Sequence, residues 1–279
     1  MTDILLHLAP RIAACLLYAG LGFHFWHTRW HQTHKLPPPL SMRSWERGAI
    51  LLAVVLQGMS LYDGIFGASG MQFSFSYALS LMLWLAVLIY WLESYSPGMD
   101  GLQPLALPLA AICSVLPLVF PKVHVIPHAN DWSFKFHFVT AMLAYSFVTL
   151  SALHAIFMGI VERKLHHGLL DKQLINLPPL LTLEHILFRL IIVAFIFLTT
   201  ALASGMVFSE TVFGKTIAFD HKTLFAIAAW GIFAVLLIGR HFYGWRGRIA
   251  LRWTLTGFLL LLLAYIGSRF ISEILPGHL

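Results

Sequence analysis

The chain has 279 residues, of which 59% are apolar and only 11% charged, with a formal net charge of +6. A soluble domain needs roughly twice that charged fraction to coat its surface, so the composition excludes a soluble enzyme, and the surplus apolar surface must meet lipid. Lipid tolerates only helices or a closed barrel. Unbroken apolar runs of about 20 residues select helices.

Taken in chain order, apolar run length and Pro, Gly and charge punctuation predict eight spans in one all-α, polytopic integral membrane domain over 1–279. They cover about 4–26, 47–65, 73–93, 102–120, 133–161, 183–208, 220–240 and 251–274. The first run carries Asp3, His7 and Arg11 but no basic leader, and it is too long for a signal-peptide core. It is expected to be retained as a span. Cys15 and Cys113 lie inside apolar runs, with no CxxC or CxxCH, and read as small buried hydrophobes.

Lys and Arg fix the expected orientation. Arg29, Lys35, Arg43 and Arg47, then Arg163, Lys164 and Lys172, then Arg240, Arg246, Arg248 and Arg252 fall in one set of loops. Lys122, Lys135, Lys215 and Lys222 fall in the other, with Arg11 and Arg269 near the ends. The positive-inside rule puts the first set in the cytoplasm and both termini outside, as in a bacterial inner-membrane protein. The bilayer is the first expected partner. Nucleic acid is not one, because cytoplasmic anchoring accounts for the net charge.

Fifteen histidines stand out in so apolar a chain, since polar groups at membrane depth are costly and imidazole is a common metal and haem ligand. His27, His31 and His34 share a helical spacing in the first cytoplasmic loop, read as an interfacial helix rather than a metal site. His166 and His167 read as solvated, and His124 and His128 as outer-loop residues. His137 lies one turn into the fifth span, after Asp131 and Ser133 as candidate caps. His221 heads the seventh. Both helices run inward from the outer face, so the two imidazoles are expected at matched depth, where they can clamp a haem b from its two faces. Lys222 can meet a propionate. The plain reading is two interfacial histidines bonded to backbone or headgroups. His185, beside Glu184, suggests a local polar cluster. His24 and His154 lie deeper and offer a second, inner haem pair; His137 and His154 are about 25 Å apart along one helix, so one haem cannot use both. Trp84 and Trp230 can pack on a porphyrin or in a helix interface. Three prolines in the fourth span, Pro104, Pro108 and Pro117, are what a transporter's broken helix requires and also what accommodated kinks look like. No Walker loop, GxSxG, HExxH or paired-carboxylate arrangement is present.

The second half of the chain carries a resemblance. Leu177-Pro-Pro-Leu-Leu-Thr-Leu-Glu184-His-Ile-Leu-Phe-Arg189 leads into a span ending Ala203-Ser-Gly205. His221-Lys-Thr-Leu-Phe-Ala-Ile-Ala-Ala-Trp230 is followed by Leu237-Ile-Gly-Arg240, Gly244-Trp-Arg-Gly247-Arg and Ala264-Tyr-Ile-Gly-Ser-Arg269. This order resembles the cytochrome c assembly protein superfamily of CcsA and HemX, and most of all its YpjD branch. It is specific from about Phe136 onward and compositional over the first four spans.

The resemblance implies an eight-helix inner-membrane protein that handles haem. In CcsA-like relatives an external haem is held by histidines flanking a Trp-rich periplasmic segment and presented to apocytochrome c. His137 matches the place of such a ligand. Where those relatives carry Asp-Pro-Lys-Glu, this chain reads Asp220-His-Lys-Thr, so His221 stands at the right membrane level without being an inherited ligand. The loop 209–219 contains no Trp, and the relatives' Leu-His-x-Arg is Leu237-Ile-Gly-Arg240 here. These departures argue against haem ligase activity. The expected role is haem handling in cytochrome maturation, or electron transfer through a fixed haem, with a maturation or transport protein as partner. The alternative is a non-haem scaffold or regulator of a transporter.

Overall fold

A computed structural model of the chain describes residues 2–30, 42–67, 70–95, 101–126, 129–166, 179–213 and 221–267. Among them are eight α-helices: α1 (Thr2–Phe25), α2 (Ser44–Ile65), α3 (Phe75–Glu93), α4 (Gln103–Val119), α5 (Trp132–His166), α6 (Leu180–Phe213), α7 (His221–Tyr243) and α8 (Arg248–Leu262). The chain is an all-α, multi-pass membrane protein. Six helices are long and apolar enough to cross a bilayer. The other two, α4 and α8, span 17 and 15 residues, and α8 runs on into a π-helical turn, Leu263–Gly267. A second π turn, Trp26–Trp30, continues α1.

Each helix buries one face on its neighbours and leaves another outside. On α2, Ile50, Ala53, Val54 and Leu61 are buried, whereas Leu52, Val55, Met59 and Tyr62 form an exposed apolar stripe. Ile192 and Ile196 repeat the pattern on α6. Contiguous apolar faces of that extent are at home only in lipid. α1 packs on α4 and α2, and α3 joins α2 and α4 to α5. α5 packs on α6, α3 and α8, and α7 on α8 and α6. α5 is thus the axis of the molecule, and α7 lies at its edge.

Hydrogen bonds across helices fix the registers. The buried Gln57 amide donates to the carbonyl and hydroxyl of Ser80, and the Trp84 indole donates to Val54 O at 2.7 Å. Trp84 is therefore a strut between α2 and α3. Trp230 plays the same part between α7 and α6, donating to Thr199 Oγ1 at 2.9 Å and stacking on Phe195. The α4 prolines are accommodated: Pro104 stands in the first turn, where no N–H is needed, and the helix continues through Pro108 and Pro117 without a break. The midplane break that a transporter reading requires is absent from α4.

One end of the bundle carries a small antiparallel sheet in the order β1 (Phe66–Gly67), β2 (Gly70–Phe73), β3 (His124–Val125). His124 is exposed but belongs to β3, where it pairs with Phe73, and is not the loop residue expected; His128 lies outside the described residues. Phe73 of β2 meets Phe138 of α5 edge to face at 5.1 Å. Arg11 also lies toward this end, donating to Ser60, but the other end carries most of the described arginines. There Glu46 joins His24 and Arg29, Glu184 joins Arg240 and Arg246, Glu93 joins Arg189, and Glu162 joins Arg248.

Gly101 shows how tightly the basic end is packed. Its φ is +107°, and a Cβ there would fall 2.6 Å from Cζ of Phe157 on α5. Strain and overlap act together, so Gly101→Ala is expected to destabilise the protein by about 2–4 kcal/mol. A lowered thermal midpoint of the detergent-solubilised variant checks this. An unchanged midpoint would show that Phe157 yields freely.

Candidate functional site

The site is built on the paired helices α5 and α6. α5 begins at Trp132, immediately after Asp131, so His137 points from the second turn near the sheet end. α6 reaches the same level with the small residues Ala201, Ser204 and Gly205. His137 Nδ1 lies 3.0 Å from Ala201 O and 3.2 Å from Ser204 Oγ, and the Ser204 hydroxyl lies 3.1 Å from the same carbonyl. A carbonyl can only accept, so Nδ1 carries the proton. The neutral ring then has its lone pair on Nε2, and no described residue hydrogen-bonds that atom. One nitrogen anchored and the other left as a donor to metal is how a protein sets up a histidine ligand. On this chemistry His137 could hold a metal, a haem iron included, through Nε2.

His154 makes a related bond at the other end of the same helix pair. Its Nε2 donates to Leu183 O at 2.9 Å, but its Nδ1 is sealed in the interior without a partner. His154 is 1% exposed. His24 is engaged through Nε2 with Glu46 Oε1 at 3.1 Å and sits edge-on to Trp45. Among the described residues no contact joins His24 to His154, each being turned toward a different helix. His185 is exposed on α6; the polar cluster there is made by its neighbour Glu184 with Arg240 and Arg246.

His221 is the first residue of α7, and its side chain lies outside the described residues. Lys222 follows, half buried. The register of α7 on α6 locates the backbone. Trp230 and Thr199 share a level, and at 1.5 Å per residue His221 stands about 13 Å beyond it toward the sheet end. The Ala201–Gly205 segment stands about 6 Å beyond it in the same direction. His221 therefore starts roughly 7 Å nearer the sheet end than the level of His137, with α6 packed against both helices. His27 is exposed on the π turn after α1, and His31, His34 and His167 lie outside the described residues. Among the described residues no three His, Cys, Asp or Glu side chains converge.

Sequence reasoning missed Ala201, Ser204 and Gly205. Their signal is a cluster of small residues at the end of an apolar run, which permits close helix approach, together with the place of Ala203-Ser-Gly205 among the stretches that carry the family resemblance.

A sequence model described as "Cytochrome C assembly protein" matches residues 45–276. The chain is 26% identical over 239 residues to inner membrane protein YpjD of Escherichia coli K12, covering 83% of this chain and 89% of that protein. Over 90 residues it is 34% identical to the cytochrome c biogenesis protein CcsA of Prochlorococcus marinus MIT 9215, covering 32% of this chain and 29% of that one. CcsA of Heterosigma akashiwo is 32% identical over 99 residues, 36% of this chain and 31% of its own length. No solved structure matches the chain.

Proposed function

The chain belongs to the cytochrome C assembly protein family, and we propose that it binds a b-type haem near the outer face of a bacterial inner membrane and handles it there during cytochrome maturation. The inner-membrane placement rests on the likeness to the Escherichia coli inner membrane protein YpjD and on the Lys and Arg distribution. The second assigns the basic end to the cytoplasm and the sheet end to the outside. His137 and His221 would hold the haem iron, and Lys222, next to His221 in the chain, would offer a cation to a propionate.

One observation carries this reading. The His137 ring is anchored through Nδ1 on α6, so its unprotonated Nε2 is left for a metal. Haem supplies a redox-active, transferable iron porphyrin; the protein supplies the ligands, their orientation and a largely apolar surround. The two ligands differ. His137 is held in place before any haem arrives, which lowers the cost of binding. His221 comes from the head of an edge helix, starts about 7 Å farther out, and is the ligand suited to exchange. One fixed and one exchangeable ligand suit a protein that passes haem on better than one that keeps it.

The test is the visible spectrum of purified protein, oxidised and dithionite-reduced, after expression with ample haem. About one haem per chain with a sharp reduced α-band supports ligation, and loss of that band to an added apo-acceptor separates handling from fixed electron transfer. A second reading is favoured by His154, which ties α5 to α6 without any described metal role. If His137 is only a matching tie, the protein is a non-haem scaffold or regulator, and the spectrum is featureless.

A further inference from the structure

We propose that Ser204 and Gly205 of α6 are positioning residues for the His137 ligand: the Ser204 hydroxyl orients the ring, and Gly205 provides the space in which it lies. The proposal rests on the haem reading above and extends it to residues that contribute no ligand.

Three short contacts close a triangle. The His137 Nδ1–H is shared between Ala201 O and Ser204 Oγ, and the Ser204 hydroxyl donates its own hydrogen to Ala201 O at 3.1 Å. With that hydrogen committed, the Ser204 oxygen presents only lone pairs to the ring. The serine therefore reinforces one tautomer and resists its reversal. Ala201 O alone would hold the proton on Nδ1 but would leave the ring freer to swing about its Cβ–Cγ bond.

Gly205 sets the remaining degree of freedom. A Cβ at this position would fall 3.0 Å from Cε1 of His137, 3.3 Å from Nδ1 and 3.8 Å from Nε2. Cε1 lies between the two nitrogens, so pressure there tips the ring and moves Nε2. Ordinary contact begins near 3.4 Å, and the ring would have to shift by a few tenths of an ångström. Gly205 lies within a helix, where alanine is the intrinsically better residue. Gly205→Ala therefore favours the helix while disturbing the ligand, which separates positioning from folding.

The donation from Nδ1–H to an acceptor raises the basicity of Nε2 and so favours the ferric state. Ser204→Ala is expected to weaken haem binding by about tenfold and to shift the haem midpoint potential upward. Ser204→Thr, which keeps the hydroxyl, is expected to restore both. Gly205→Ala is expected to broaden the ferric low-spin electron paramagnetic resonance signal and to lower haem occupancy, while its thermal midpoint without haem stays at or above that of the wild type.

The experiment titrates hemin into haem-free wild type and the three variants in detergent, then records potential and spectrum. If the wild type binds hemin through His137 and all three variants match it, the positioning proposal is overturned and the haem reading stands. Equal losses in Ser204→Ala and Ser204→Thr also overturn the role of the hydroxyl. If wild type binds no hemin, the haem reading has failed, and this proposal with it.

Discussion

Replacing His137 with alanine is expected to abolish haem binding, whereas replacing His221 is expected to leave haem bound in altered form. On the proposed haem reading His137 is a prearranged ligand, so its loss removes both the iron bond and the prepaid ordering of the ring. Changing outer-shell partners alone typically costs 10–100-fold in metal affinity, and removing the ligand itself should exceed about 100-fold. His137→Ala should therefore purify without a Soret band. His221 begins α7, nearer the sheet end than the level of His137. His221→Ala should keep a substoichiometric haem whose sharp reduced α-band is replaced by a five-coordinate, high-spin spectrum. Equal and complete loss in both variants would mean that the ligands are equivalent, removing the case for an exchangeable one. Full retention in His137→Ala, with the protein folded, would make that residue a helix tie like His154.

Much of this organisation is readable in the sequence because membrane spans are written in one dimension. Apolar run length places all eight helices, six of them long and apolar enough to cross a bilayer, and Lys and Arg distinguish one end from the other. The run also gives depth, so His137 could be placed near a surface and His154 about 25 Å away along the same helix. What it does not give is azimuth. His24 and His154 looked pairable because both lie toward the basic end, but one is turned to Glu46 and the other to Leu183. The matched depth of His137 and His221 rests only on both helices running inward from the same face; the register of α7 on α6, set by Trp230 and Thr199, introduces an offset. Ser204 and Gly205 were invisible as site residues because their role depends on which residues of α5 face them. The short strands β1 and β3 cover two residues each, too few for an alternating pattern to show. Glu46 was hidden for another reason: a carboxylate one residue before a predicted span reads as a solvated loop residue.

Glu46 is the subject of the second large effect. Glu46→Ala is expected to destabilise the protein by about 3–5 kcal/mol, whereas Glu93→Ala, which breaks an ion pair of similar sequence character, should cost under about 1 kcal/mol. The difference is burial. Glu46 is 3% exposed and accepts from three sources: His24 Nε2 at 3.1 Å, Arg29 Nη2 at 3.4 Å and the Arg43 backbone N–H at 2.7 Å. It thereby joins the end of α1 to the start of α2, where a carboxylate also complements the helix dipole. Truncation removes a carboxylate partner from the Arg29 guanidinium, itself 10% exposed, and uncaps α2. The Glu93–Arg189 pair is open to its surroundings, with side-chain exposures of 29% and 51%, so its partner is readily resolvated. Thermal unfolding of both variants in one detergent, without added haem, gives the comparison. Glu46→Gln should recover part of the loss, because it keeps an acceptor for Arg43 and Arg29 but not the charge. If Glu46→Ala and Glu93→Ala melt alike, the buried charge is not holding α1 on α2, and the apolar contacts of Ile50, Val54 and Phe25 carry that interface alone.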